Sequence, residues 1–204
     1  MGARFSRKIQ RGRAVIVALY SPTQKSGKST VANILRTKYE FAEVKFASPL
    51  RDMAWNVIQY YVNPMDKDRY LEGDLKESII PEIGVSVRTI YRTLGTEWGR
   101  NIINQNLWRD ILFKRINPYL VSFDMVISDL RFGSEYYGLR EKYGFGVIFI
   151  KITRPGLELD RSHKSEGLLD EFEFDYEIIN DGSLIDLERK VNLIMEQIGF
   201  ESNE

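Results

Sequence analysis

The sequence predicts an α/β protein, a five-stranded parallel sheet with helices on both faces, and three observations predict it. Five short apolar runs, at 14–19, 43–46, 125–128, 147–152 and 176–179, have the length and β-branched content of buried strands. Helical periodicity separates them, so each strand can return to the sheet through a crossover. The first run passes through a small-residue loop, Ser21-Pro22-Thr23-Gln24-Lys25-Ser26, into Gly27-Lys28-Ser29-Thr30 at a helix start. Strand, loop and helix N-terminus in that order are the context of a phosphate-binding loop, which makes the expected architecture the P-loop three-layer fold.

The chemistry of that loop explains its residue types. Backbone N–H groups turned inward and the positive end of a helix hold successive phosphates. Lys25, Ser26, Gly27 and Thr30 belong to this cradle, Lys28 reaches the β- and γ-phosphates, and the Ser29 hydroxyl is placed to ligate Mg²⁺. The full pattern G-x-x-x-x-G-K-[ST] has a glycine where this chain has Pro22. Proline fixes φ near −65° and lacks an N–H, so the start of the loop cannot use a positive φ there. A chance Ser-Gly-Lys-Ser in an ordinary loop is the alternative, and the strand before it and the helix after it argue against that.

Composition narrows the rest. At 204 residues the chain fits one domain, or one with a mobile insertion, and 43% hydrophobic residues allow a substantial core. The 29 basic and 29 acidic residues cancel, so no global field points to a stable nucleic-acid partner or a membrane. The absence of cysteine excludes disulfides, thiolate catalysis and cysteine metal sites. Residues 1–13 are basic without an apolar signal core, which reads as a disordered leader preceding a domain at 14–204. Gly2 with Ser6 formally fits a myristoylation pattern, but no apolar run approaches membrane length, and a cytoplasmic protein is expected.

Along the chain, a first helix is expected over 28–39, with Val31, Ile34 and Leu35 inward. Ser48 as N-cap and Pro49 as first helical residue begin a second, continuing through Met53, Val57, Ile58 and Tyr61. The charged segment 63–84, with Pro64, Gly73, Pro81 and Gly84, reads as a mobile insertion or loop. A helix over 86–92 leads into Leu94-Gly95-Thr96-Glu97-Trp98-Gly99-Arg100-Asn101, whose small, acidic, aromatic and basic residues suit a pocket for a polar aromatic ligand better than a core. Helix 107–119 turns Trp108, Ile111, Leu112 and Ile116 inward.

Ligands of open parallel sheets bind at the carboxyl ends of strands, which puts Asp129 and Arg131 on the rim of the phosphate loop. An acid after an apolar strand is the usual second Mg²⁺-organising group, though it also serves as an ordinary cap of the next helix. Arg154 and the polar stretch 161–166 follow the fourth strand and could close as a lid over about 154–173, Arg154 and Arg161 supplying charge; a solvated loop is the plain alternative. His163 reads as a lid or structural residue. Asn180-Asp181-Gly182 is good turn chemistry that could also touch a base. Ser183 with Asp186 then forms a capping box ahead of an apolar stripe at Leu184, Leu187, Val191, Ile194, Met195 and Ile198.

Taken together, Gly27-Lys28-Ser29, Phe46-Ala47-Ser48-Pro49-Leu50-Arg51, Leu94-Gly95-Thr96-Glu97-Trp98-Gly99-Arg100 with Trp108, Ser128-Asp129-Leu130-Arg131-Phe132 with Glu135, His163-Lys164-Ser165-Glu166 and Ile179-Asn180-Asp181-Gly182 resemble the phage-type deoxynucleoside monophosphate kinases. The resemblance implies transfer of the ATP γ-phosphoryl group to a (deoxy)nucleoside 5′-monophosphate. It further implies that Ser29 and Asp129 organise Mg²⁺, and that Arg51, Arg100 and Arg131 hold the acceptor phosphate. Thr96, Glu97, Trp98 and Trp108 would line the acceptor's sugar and base pocket, within an acceptor-binding insertion of about 48–120. Arg154 and Arg161 would close from the lid, and Asn180 would sit near the adenine.

Other small-molecule P-loop kinases, such as dephospho-coenzyme A kinases, share two of these stretches. A GTPase is disfavoured by the lack of an Asn-Lys-x-Asp element. A non-catalytic nucleotide-binding module with Arg4 to Arg13 as a basic arm is the reading from another class. The apolar face around Met53 to Tyr61 is compatible with a homodimer.

Overall fold

The computed structural model describes residues 14–157 and 168–202. In chain order the elements are β1 (Ile16–Tyr20), α1 (Lys28–Lys38), β2 (Ala42–Val44), α2 (Ser48–Ile58), α3 (Lys67–Leu71), β3 (Ile79–Ile80), β4 (Val85–Ser86), α4 (Val87–Arg92), α5 (Leu107–Ile116), β5 (Met125–Ile127), α6 (Gly133–Tyr143), β6 (Val147–Thr153), β7 (Tyr176–Ile179) and α7 (Leu184–Gln197). The chain divides into two compact units, Phe46–Phe113 and the remainder.

The larger unit carries the sheet, in the order β2-β5-β1-β6-β7 with every pair parallel. β1 is central, Ala18 pairing with Ile127 of β5 and Phe149 of β6. All five β1 residues are buried, as a strand covered on both faces requires. Alternation sorts the side chains. Val17, Leu19, Val126, Ile150 and Ile178 pack with Val31 and Leu35 of α1 and Leu187, Val191 and Met195 of α7. On the other face Phe149 meets the Tyr136 ring of α6 at 4.2 Å, and Tyr20 stacks on Phe174 at 5.3 Å. The expected parallel sheet with helices on both faces is therefore present.

The expected capping box is present too. Asp186 N donates to Ser183 Oγ at 3.2 Å, and Ser183 N donates to the Asp186 carboxylate at 3.0 Å. Replacing Ser183 by alanine is expected to destabilise the protein by about 1 kcal/mol, read as a lower chemical-denaturation midpoint. The Ser183 hydroxyl and backbone N–H hold the Asp186 carboxyl below its usual value. The group is depressed in the folded state, so its contribution is present above the ordinary carboxylate pKa and is lost as pH falls through the lowered one. Acid titration of the unfolding midpoint should be shallower in Asp186→Asn than in wild type.

The smaller unit departs from expectation in segment 63–84, which is structured. It contains a short turn at Pro64–Asp66, then α3 and β3, which pairs antiparallel with β4 just after the segment. Leu71 and Ile80 from this segment are buried with Ala54, Ile58 and Val87. Arg69 ties the charged stretch together, its guanidinium within 3.0 Å of Asp66 and 2.7 Å of Asp74. Few, irregularly spaced apolar anchors leave no periodic signal, which is why the composition resembles a loop.

Two helix details also differ. Ser48 lies inside α2, whose N-cap is Ala47 without a side-chain bond, and α2 ends at Ile58. Val57 and Tyr61 are exposed, and the buried positions are Leu50, Ala54 and Ile58. In α5, Phe113 is buried while Ile111 is only half-buried, and the helix stops at Ile116. Among the described residues no helix is long and apolar enough to cross a membrane.

Candidate active site

The site begins where β1 runs out. Ser21 to Thr30 wraps from the central strand into α1, and the backbone takes left-handed φ angles at Lys25 (59°) and Gly27 (103°). Two such residues around buried Ser26 fold the chain into a tight concave turn. Gly27 is required at its position. A Cβ there would stand 2.5 Å from Asn180 Nδ2, in addition to the strained φ.

The start of the loop shows how Pro22 is accommodated. Ser21 Oγ donates to Thr23 O at 2.8 Å and accepts from Thr23 N at 3.3 Å, so a side chain closes the turn that a glycine would otherwise make. Pro22 has no N–H and the Thr23 N–H is engaged, which leaves the phosphate donors to Gln24 and the residues after it.

A cavity of about 480 Å³ opens over this turn. Every loop residue from Thr23 to Thr30 lines it, together with Arg131, Arg154, Asn180, Gly182, Ser183, Leu184 and Leu187. The expected loop residues Lys25, Ser26, Gly27, Lys28, Ser29 and Thr30 thus share one cavity with two arginines from separate strand ends and with Asn180. Leu184 is 62% exposed on the cavity wall, so the first position expected in the α7 core stripe is outside the core.

Arg131 reaches the cavity from the segment after β5. That segment is held by Glu135, only 2% exposed, whose carboxylate accepts from Arg131 N at 3.0 Å and Phe132 N at 3.1 Å. Glu135 sits in the first turn of α6, three residues after Phe132, a spacing visible in the sequence. Asp129 is half-buried two residues past Ile127, the partner of Ala18 in β1, and is not among the cavity-lining residues. Ser29, exposed in the cavity, supplies a neutral oxygen in the first turn of α1, and Asp129 an anionic one just after β5, the sheet neighbour of β1. That donor set suits a hard cation such as Mg²⁺, which keeps waters and substrate phosphates as its other ligands.

Asn180 lies beneath the loop. Its side chain donates from Nδ2 to Ser26 O at 2.8 Å, and its backbone N–H donates to Thr153 O at 2.7 Å, extending the β6–β7 ladder by one bond. Arg161 and His163 fall outside the described residues, as do residues 158–167 of the expected lid and the basic leader.

In the smaller unit, Thr93–Ile103 is a wide helical segment following α4, with Asn104 N donating to Gly99 O across five residues. Such i→i+5 turns cluster at functional positions. Thr96, Glu97, Trp98 and Arg100 all lie on it. Arg100 donates to Gly95 O at 3.2 Å, and Trp98 is 37% exposed. Trp108 is buried, with Nε1 donating to Gly95 O at 2.8 Å and its ring centroid 6.2 Å from that of Trp98. It packs under the segment rather than opening to solvent. Arg51 pairs with Asp68 and, at 3.5 Å, with Glu72.

Comparison with known proteins agrees with this chemistry. The chain is 29% identical over 159 residues to a protein of Acanthamoeba polyphaga mimivirus provisionally named a deoxynucleotide monophosphate kinase, covering 69% of this chain and 75% of that one. A solved dephospho-CoA kinase from Campylobacter jejuni superimposes with a TM-score of 0.40 at 12% identity, over 90% of this chain and 96% of its own, an overlap that by itself decides nothing. The sequence pattern of the family described as deoxynucleotide monophosphate kinase matches residues 70–191. That match spans more than half of the chain and takes in Arg131, Arg154 and Asn180 of the cavity, so the chain belongs to the deoxynucleotide monophosphate kinase family and is a phosphotransferase acting on nucleotides.

Proposed function

We propose that the protein transfers the γ-phosphoryl group of ATP to the 5′-phosphate of a deoxynucleoside monophosphate, releasing ADP and the deoxynucleoside diphosphate. The observation that carries this reading is the single cavity in which the turn before α1 meets Arg131 and Arg154. A nucleotide triphosphate tail is polyanionic, and this wall offers it backbone N–H groups, a helix N-terminus, Lys28 and two guanidinium groups.

In the reaction, an oxygen of the acceptor phosphate attacks the γ-phosphorus while the bond to the β–γ bridging oxygen breaks, leaving with ADP. Two anions must approach, and charge spreads over the transferred group, so catalysis consists of positioning and electrostatic stabilisation. Lys28 holds the β- and γ-phosphates. Arg131 and Arg154 offset charge on the group in flight, a role the family resemblance also gives to Arg161. Ser29 and Asp129 would hold Mg²⁺, which when bound neutralises phosphate charge and orients the triphosphate.

In the smaller unit, Arg51, Thr96, Glu97, Trp98 and Arg100 are the acceptor-recognition residues, with Trp108 supporting Trp98 from below, and in the larger unit Arg131 is the candidate for the acceptor phosphate. A phosphate would have to compete with Asp68 and Glu72 for the guanidinium of Arg51. The relative from a mimivirus supports action in the cytoplasm of a host cell. The exposed Val57, Tyr60 and Tyr61 would be the contact of a homodimer.

The test is ADP release across dAMP, dGMP, dCMP, dTMP and dephospho-coenzyme A. Turnover is expected with at least one deoxynucleotide and none with dephospho-coenzyme A. The reverse pattern, or nucleotide binding without turnover, would overturn the assignment.

A further inference from the structure

We infer that Asn180 is a positioning residue for the phosphate loop: its side-chain amide locks the Ser26–Gly27 peptide so that the Gly27 N–H is presented to phosphate. The inference rests on the nucleotide-binding reading of the cavity above and goes beyond it, because it gives Asn180 a task independent of the base.

The geometry argues it in three steps. Ser26 O can only accept, so the amide of Asn180 must present its NH₂ group, and the 2.8 Å contact fixes which way the side chain faces. A trans peptide holds its C=O and N–H antiparallel, so pinning Ser26 O toward Asn180 turns the Gly27 N–H the opposite way. Finally, Gly27 is the residue at which that peptide is otherwise free to rotate. With φ at 103° and no Cβ it pays little steric cost for either orientation, and a Cβ is excluded by Asn180 itself.

The sheet supplies the rigidity. Asn180 is 9% exposed and its backbone N–H is bonded to Thr153 O, so the amide is mounted on the carboxyl edge of β6 and β7. A loop that needs glycine for close approach thereby receives from a neighbouring strand the constraint that glycine cannot provide. An adenine-reading role would use the Oδ1 acceptor or the second Nδ2 hydrogen, whereas the brace uses the one Nδ2 hydrogen that is bonded to the loop, so the two roles separate by ligand.

The deciding ligand is inorganic tripolyphosphate, which carries phosphates and no base. Its affinity and that of ATP would be measured by titration calorimetry for wild type, Asn180→Asp, Asn180→Ala and Lys28→Met, with KM for the best deoxynucleotide acceptor alongside. Asn180→Asp keeps size and removes the donor, and circular dichroism checks its fold should the alanine variant be unstable. Expected is a fall of about tenfold for tripolyphosphate and ATP alike in both Asn180 variants, with acceptor KM within about twofold of wild type. Loss of ATP affinity with tripolyphosphate unchanged would make Asn180 a base reader. Equal weakening of ATP and acceptor would make it a general structural residue, and no change would remove the brace altogether. Each of these overturns the inference. Failure of the underlying reading looks different: wild type and Lys28→Met would bind tripolyphosphate equally.

Discussion

Lys28→Met is expected to reduce phosphoryl transfer by about 10³-fold or more while leaving the fold intact, because it deletes charge from the place where charge accumulates. Lys28 is the first residue of α1 and lines the cavity. Its ammonium is the cation delivered by the loop itself, beside backbone dipoles that cannot replace a full charge. Methionine has similar length and good helix propensity, so α1 and its buried Val31, Ile34 and Leu35 should be undisturbed. The measurement is coupled ADP release in saturating ATP and acceptor, with circular dichroism to certify the fold. Activity within tenfold of wild type would sink the assignment of this loop to the triphosphate.

The second large effect concerns stability. Gly99→Ala should destabilise the smaller unit by about 1–3 kcal/mol, the usual range for overpacking a filled site. A Cβ at Gly99 would lie 2.4 Å from Trp108 Cζ2 and 2.7 Å from Cε2 and Nε1. These are ring atoms of a buried indole, not the end of a flexible chain, so Trp108 must move or the helical segment must open. Moving the indole also breaks the Nε1–Gly95 bond, which leaves Gly95 O with only the longer bond from Arg100 and the indole N–H in need of another acceptor. Since Trp98 and Arg100 stand on the same segment, KM for the acceptor should rise while ATP affinity stays near wild type. Denaturant melts and steady-state kinetics test both halves. An alanine variant as stable as wild type, with unchanged KM, would show that Trp108 does not support this segment.

Legibility in the sequence followed the strength of local signals. The five sheet strands were readable within a residue or two, most clearly where a strand buried on both faces has to be continuously apolar, as β1 is and β6 is over 147–150. The phosphate loop was readable because its chemistry is local: strand, turn and helix N-terminus are consecutive. Ser183 and Asp186 were readable for the same reason. The α3 and β3–β4 region was not, because its buried residues are only Leu71 and Ile80 among many charges, and their partners Ala54, Ile58 and Val87 lie elsewhere in the chain.

The sequence by itself determined the layered α/β architecture and the strand-turn-helix order around residues 21–30, since each rests on residues close together in the chain. Only the tertiary structure decided that Asn180 bonds to Ser26 O, 154 residues away, that Ser21 takes over the turn at Pro22, that Leu184 faces the cavity, and that Glu135 anchors the backbone of Arg131. The physical reason is that a hydrogen bond between distant segments depends on strand order and register, and residue types do not encode where a parallel crossover brings two strand ends together.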